Sequence, residues 1–203
     1  MNVFLGYLRQ AGTAARFLLL ATVVLGLLYP LSIFGVGQAV APFQANGSVV
    51  KDASGRPAAS ALIAQVSADD AGVQDPEWFH ARPSAVGWDP ASSSASNLGP
   101  NDAKLLDAVA SNRAAVAKAE GVNESDVPAD AVSASGSGLD PHISPEYADL
   151  QVARVAAAHR LTPDVVQGLV DKHTTDGLEA FWGQPSVNVT LLNLDVAASG
   201  NDE

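Results

Sequence analysis

A run of 21 residues without a charged side chain, residues 17–37, constrains the fold of this chain more than any other feature. The run is rich in leucine and valine, and as an α-helix it would measure about 31 Å, close to the roughly 30 Å hydrocarbon core of a bilayer. This length and composition are typical of a transmembrane helix. We therefore predict one membrane span near the N-terminus.

The direction of the span follows from the basic residues beside it. Arg9 and Arg16 precede the run, and no lysine or arginine follows it until Lys51. Basic residues are retained on the cytoplasmic side of a membrane. We therefore expect a cytoplasmic N-terminus (1–16), one span of the cell membrane (17–37) and an extracytoplasmic soluble domain (38–203).

A cleaved signal peptide is the alternative to a permanent anchor. Ala39 and Ala41 have the small-x-small spacing of a cleavage site. The apolar run is longer than the 7 to 15 residues of a usual signal core, however, and Pro42 would directly follow the cut. We therefore expect the anchor to stay attached.

One face of the predicted span is suited to contact another helix. Thr22, Gly26 and Pro30 follow one another at four-residue intervals and share this face, where small surfaces allow close approach. The alternative is that glycine and proline are simply common in membrane helices. We also expect Pro30 to kink the helix.

The charge of the chain lies almost entirely after the span. No aspartate or glutamate precedes Lys51, from which 22 acidic and 9 basic residues give a net charge of −13. A domain with this charge repels nucleic acid, because nucleic-acid binding depends on Lys and Arg contacts to phosphate. The chain has no cysteine, which excludes disulfides, thiolate metal sites and cysteine nucleophiles.

Caps and helix-stop signals divide the soluble part into short elements. Ser144 followed by Pro145, and Thr162 followed by Pro163, are typical helix starts, and together they predict a helical hairpin. The full set is an extended exit at 42–57 with a strand near Val50, a strand at 61–66, a packed irregular loop at 76–100, a helix at 102–120 capped by Asn101, helices at 145–159 and 163–176, and a strand at 187–194.

These elements predict a single small α+β domain in which a small sheet packs with about three helices. Its sequence contains no recognisable pattern of catalytic, metal-binding or phosphate-binding residues. The four histidines lack metal-ligand spacing, the serine clusters do not fit G-x-S-x-G, and no phosphate-binding glycine loop of the P-loop type occurs. We therefore expect no enzyme activity from the chain alone, and an anchored sensor or binding module is a further alternative.

The most specific motif is an eleven-residue run at 135–145, S-G-S-G-L-D-P-H-I-S-P. It resembles a run typical of the KdpC subunit of the bacterial high-affinity potassium-transporting P-type ATPase, the Kdp complex. Shorter blocks fit the same family in the same order: Y-P-L at 29–31, Q-A-N-G-S at 44–48, R-P-S-A at 82–85, S-N-L-G-P at 96–100, V-N-V at 187–189 and L-N-L at 192–194.

The resemblance implies an accessory subunit of a potassium transport complex. Its implied partners are a channel-like potassium-translocating subunit, a P-type subunit that hydrolyses ATP and a very small helical subunit. No cofactor is expected on this chain, because ATP and potassium are handled by the complex.

Two mechanisms are compatible with the resemblance. In one, the chain is a catalytic chaperone that raises the ATP affinity of the hydrolysing subunit. In the other, its domain covers the outer mouth of the potassium pathway and stabilises assembly. The predicted topology favours the second mechanism, because it places the domain across the membrane from ATP.

The 135–145 loop is also the predicted partner-docking site. Two glycines offer positive φ and Asp140 can accept backbone hydrogen bonds, so we expect a rigid loop with Asp140 and His142 pointing outward. The alternative is a loop that merely joins a strand to a helix. The docking candidates are Ser135, Gly136, Ser137, Gly138, Leu139, Asp140 and His142.

Overall fold

The structure is a computed structural model that describes residues 2–52, 54–69, 72–175 and 183–200. The chain divides into two compact units, Met1–Ser48 and Val49–Glu203. The first unit contains the apolar helix, and the second contains the small α+β domain.

The first unit is built on a single apolar helix. Helix α1 (Asn2–Val23) continues through a π-helical turn (Val24–Leu28) into α2 (Tyr29–Val40). Residues Phe4–Val40 are long and apolar enough to cross a membrane, as predicted. The exit segment is not extended throughout, because it contains the four-residue helix α3 (Pro42–Ala45). This helix begins with proline, a residue favoured at the first helical position.

The second unit has both helices and strands, which confirms the α+β class. Instead of one sheet and about three helices, the described residues form two small sheets and four helices longer than ten residues. The elements in order are β1 (Val49–Lys51), β2 (Pro57–Ser60), α4 (Ala103–Glu120), a 3₁₀ turn (Glu124–Asp126), α5 (Ala129–Val132), β3 (His142–Ile143), α6 (Pro145–His159), α7 (Pro163–His173), β4 (Val187–Asn188) and α8 (Val189–Ser199).

Each sheet is an antiparallel pair. Strand β1 pairs with β2, and β3 pairs with β4 with His142 opposite Asn188. The predicted strand at 61–66 is wrong, because the strand that pairs with β1 ends at Ser60. The backbone N–H of Ser60 donates to Gln65 Oε1 over 2.6 Å. At the end of β2 this backbone group therefore bonds to a side chain.

The predicted strand at 187–194 is wrong after its second residue. Asn188 ends β4 and caps α8, because its Oδ1 accepts from the backbone N–H of Leu191 over 3.1 Å. Val189, Leu192 and Val196 are then buried on one helical face. The alternation of Val187, Val189 and Leu191 is typical of a strand. The residues that are buried after Asn188 are instead spaced as on one face of a helix.

Both helices of the predicted hairpin are confirmed, with Ser144 and Thr162 as their caps. Helix α4 departs from the prediction at its start. Its cap is Asp102, whose side chain accepts from Lys104 N, and not Asn101. Leu106 of this helix is 58% exposed.

The core of the second unit lies among α6, α7 and α8. Its largest buried side chains include Tyr147, Val155, Val166 and Leu192. The irregular segment at 76–100 contributes Phe79, which is buried at 1% exposure. The prediction of a packed loop in this region is therefore confirmed.

The cap at Asn188 yields a stability prediction. Its Nδ2 also donates to the carbonyl of Ala61 over 2.9 Å, so one side chain serves two functions. Asn188→Ala should lower the free energy of unfolding by about 2 to 3 kcal/mol, the sum of a lost cap and a buried carbonyl left unpaired. Asn188→Ser retains a good cap and should recover about 1 kcal/mol. Urea unfolding of the full chain followed by tryptophan fluorescence measures both, and equal losses would contradict the capping role.

Candidate functional site

The 135–145 loop lies between α5 and α6 and includes β3. Its backbone is held by separate segments of the second unit. Backbone hydrogen bonds that join it to them include Ser135 N to Pro83 O at 3.1 Å, Ser94 N to Ser137 O at 2.9 Å, Ala64 N to Leu139 O at 2.7 Å, and Val189 N to Pro141 O at 2.8 Å. The loop therefore does more than join a strand to a helix, because it connects three regions distant in sequence.

Gly138 is the position where this network requires glycine. Its φ is +70°, and Ser84 Oγ donates to its carbonyl over 2.8 Å. A Cβ atom here would lie 2.6 Å from Val86 Cγ2 and 2.8 Å from the carbonyl oxygen of Ser94. Gly136 differs, since its φ is not positive and no described atom would lie within 4 Å of a Cβ atom there. The expectation of two glycines with positive φ is therefore correct only for Gly138.

Asp140 is engaged within the domain. Its carboxylate accepts from the backbone N–H of His142 at 3.0 Å and from Arg82 Nη1 at 3.3 Å, and His142 Nδ1 lies 3.4 Å away. Burial alone would raise the pKa of Asp140, but the hydrogen bonds from His142 and the charge of Arg82 hold it below its usual value. Asp140 thus connects the loop to the segment at 82–85, and only part of its surface faces outward.

Asp130 is a residue that supports the loop and that sequence reasoning missed. Its two carboxylate oxygens accept from Ser144, one from the backbone N–H at 2.7 Å and one from Oγ at 2.8 Å. Ser144 Oγ in turn accepts from Tyr147 N at the start of α6. No motif pairs these positions, so the signal was limited to an acidic residue in the first turn of α5.

The docking candidates separate into an inner and an outer set. Ser135, Gly138 and Leu139 are buried, whereas Gly136 is exposed and the His142 side chain is 41% exposed. The outer set borders an open cavity of about 540 Å³ that is also lined by Leu62, which is 58% exposed. We call this the loop face, formed by Leu62, Gly136, Ser137, Asp140 and His142.

The face predicted on the apolar helix, formed by Thr22, Gly26 and Pro30, lies in the first unit. A Cβ atom on Gly26 would lie 3.9 Å from Thr22 Cγ2, so these two residues are adjacent. The π-helical turn at Val24–Leu28 ends just before Pro30. Proline lacks the N–H that would bond to the carbonyl of Gly26, and its ring clashes with that carbonyl in a regular helix, so the wider turn relieves the conflict.

Taken together, the fold defines a class of protein: one apolar helix able to span a membrane, joined to a small α+β domain. Across the described parts of the chain, no group of three or more His, Asp or Glu side chains is arranged to hold a metal ion. Residues 11–198 match the family model described as KdpC, the c chain of the K⁺-transporting ATPase. The chain belongs to the KdpC family.

Relatives from distant bacteria are similar along nearly their whole length. A protein of Kineococcus radiotolerans is 51% identical over 189 residues, which is 92% of each chain. One of Caulobacter vibrioides is 48% identical over 176 residues, covering 86% of this chain and 85% of the relative. One of Caldanaerobacter subterraneus is 42% identical over 182 residues, covering 89% and 91%. Each is named potassium-transporting ATPase KdpC subunit.

The two glycines of the loop form a matched pair for mutagenesis. Gly138→Ala should lower the free energy of unfolding by about 3 kcal/mol, through left-handed backbone strain and overpacking against Val86 and Ser94. Gly136→Ala should change it by less than about 0.5 kcal/mol, as at an ordinary surface position. Urea unfolding midpoints of the full chain measure the difference. Similar values for the two variants would show that the loop is not held as described.

Proposed function

We propose that this chain is a non-catalytic accessory subunit of an ATP-driven potassium uptake complex. In it, the chain stabilises assembly and its domain covers the outer side of the potassium pathway. The observation that carries the docking role is the division of the 135–145 loop. Its inner residues hold the domain together, whereas the loop face leaves Leu62 and His142 open beside a cavity. Rigid exposed loops commonly carry partner contacts.

The partners follow from family membership. They are a channel-like potassium-translocating subunit, a P-type subunit that hydrolyses ATP and a very small helical subunit. The relatives carry the name of a potassium-transporting ATPase subunit, which supports assignment to such a complex. The loop face is assigned to the subunit that forms the potassium pathway.

The proposed orientation decides between the two mechanisms. Arg9 and Arg16 hold the N-terminus in the cytoplasm, the anchor remains attached and residues 38–203 lie outside. The domain then has no direct access to ATP on the cytoplasmic side. Any effect of this subunit on ATP binding must pass through the membrane helices as a coupling between distant sites.

The apolar helix provides the second contact. Thr22, Gly26 and Pro30 present small side chains, which let a partner helix approach closely. Because residue 30 is proline, the carbonyl of Gly26 has no donor in an α-helical pattern. In a π-helical turn a carbonyl accepts from the N–H five residues on, which for Gly26 is that of Leu31.

The acidic character of the domain is compatible with a position near a cation pathway. From Lys51 onward the chain carries a net charge of −13. Such a surface raises the local concentration of potassium within a Debye length of about 8 Å at physiological salt. Acidity also serves solubility, so it supports the proposal without carrying it.

Two equally exposed leucines allow a direct test of docking. Leu62 belongs to the loop face and Leu106 lies on α4, and both are 58% exposed. Leu62→Ala should reduce recovery of the partner subunits with the tagged chain at least about tenfold, because a buried leucine at an interface contributes about 1.5 to 3 kcal/mol. Quantified co-purification from the native membrane measures the effect.

Leu106→Ala is the control and should leave recovery unchanged. Neither substitution should alter the urea midpoint of the domain appreciably, since both side chains face solvent in the isolated chain. Normal assembly of the Leu62 variant, or equal losses for both variants, would reject the loop face as the docking surface.

A further inference from the structure

A cavity separate from the loop face opens in the second unit between α4, α6 and the segment at 72–88. Its volume is about 420 Å³, within the size range of small-molecule sites. Part of its wall is apolar and includes Val73, Trp88 and Val116. Alanines on α4, among them Ala115 and Ala119, leave the space that larger side chains would fill.

Tyr147 lines this cavity and carries an unsatisfied hydroxyl. The residue is 2% exposed, yet among the described residues no donor or acceptor is hydrogen-bonded to its hydroxyl. The one sealed side-chain polar atom without a partner in the described chain is Arg82 Nε. The Tyr147 hydroxyl is therefore not sealed, and it belongs to a residue that lines the cavity.

A hydroxyl that is not sealed can donate a hydrogen bond to a molecule that reaches it. Burial, with the negative charge of Glu120 nearby, raises the pKa of Tyr147 well above its ordinary value. The hydroxyl is thus protonated at neutral pH and able to donate. It is accordingly a donor on a residue that lines the cavity.

The charges around the cavity are balanced. Arg154 Nε donates to both carboxylate oxygens of Glu120, at 3.0 and 3.1 Å, and this pair is largely removed from solvent. Burial, together with the charge of Arg154, lowers the pKa of His80 to about 4, so its ring is neutral at pH 7. A charged ligand would lose its hydration here without gaining a counter-charge.

Acceptors are also available. Asn112 uses its Nδ2 to donate to the carbonyl of Val132 at 3.1 Å, and within the described chain its Oδ1 accepts no hydrogen bond. The carboxylate of Glu120 accepts from Arg154 and has further lone pairs. A ligand that both accepts and donates one hydrogen bond can therefore be satisfied.

We propose that this cavity binds a compact, neutral, largely apolar molecule that carries a hydroxyl group. The hydroxyl oxygen accepts from Tyr147 and its hydrogen is donated to Asn112 or Glu120. The hydrocarbon body packs against Trp88 and the alanines of α4. This site is independent of the loop face and of the proposed role in assembly.

The test uses cyclohexanol, titrated calorimetrically into the full chain in lipid nanodiscs. Saturable one-to-one binding is expected. Ala115→Leu fills the cavity and should weaken binding at least about tenfold, the effect expected when an apolar site is occluded. Ala114→Leu is the matched control, because Ala114 and Ala115 are both exposed on the same helix and only Ala115 lines the cavity; the Ala114 variant should bind as the original chain does.

Tyr147→Phe keeps the ring and removes the donor. Its affinity for cyclohexanol should fall about threefold to tenfold, the range for one neutral hydrogen bond, with no loss of stability because the hydroxyl has no protein partner. Cyclohexylammonium should bind at least about tenfold more weakly than cyclohexanol. No saturable binding, or equal heats for the Ala115 and Ala114 variants, would overturn the site; undiminished binding by the Tyr147 variant would overturn the role of the hydroxyl.

Discussion

The need to pair backbone polar groups in a long irregular segment governs the second unit. No described residue between β2 and α4, at 61–69 and 72–102, belongs to a named helix or strand, so its buried N–H and C=O groups must find partners elsewhere. Side chains of α6 and α8 supply some: Gln151 Oε1 accepts from His80 N at 2.7 Å, and Asn193 Oδ1 accepts from Phe79 N at 2.9 Å. The 135–145 loop supplies others, at Ala64, Pro83 and Ser94. The backbone of the loop is therefore part of what holds the fold together, and its outer residues lie on a segment held at several points.

Local signals in the sequence were sufficient for the helices that begin with a cap and a proline. Ser144 and Thr162 begin α6 and α7 as predicted, because the cap and the first turn are set by neighbouring residues. The predicted strands failed where pairing is decided at a distance. Alternation could not reveal that Asn188 would cap a helix and also donate to Ala61, 127 positions away. The position of the 135–145 loop was predictable from its motif, whereas the Arg82 partner of Asp140 and the Asp130 partner of Ser144 were not, since no spacing rule connects them.

The structure also changes which residues are suitable probes of function. Asp140 was the obvious residue to mutate, but its contacts with Arg82 and the His142 backbone mean that its loss would disturb the domain as well as any interface. Leu62 is better suited, because its side chain is 58% exposed. On the apolar helix, the π-helical turn before Pro30 accounts for the tolerance of proline within a span.

The account depends most on the side of the membrane on which the domain lies. Because the chain has no cysteine, one introduced at the exposed Ser125 is the only thiol available for labelling. A membrane-impermeant maleimide added to intact cells should label Ser125→Cys fully, whereas Asn2→Cys should react only after the cells are permeabilised. The opposite pattern would place the domain with ATP in the cytoplasm. It would contradict a role at the outer side of the potassium pathway and make the chaperone mechanism the better explanation.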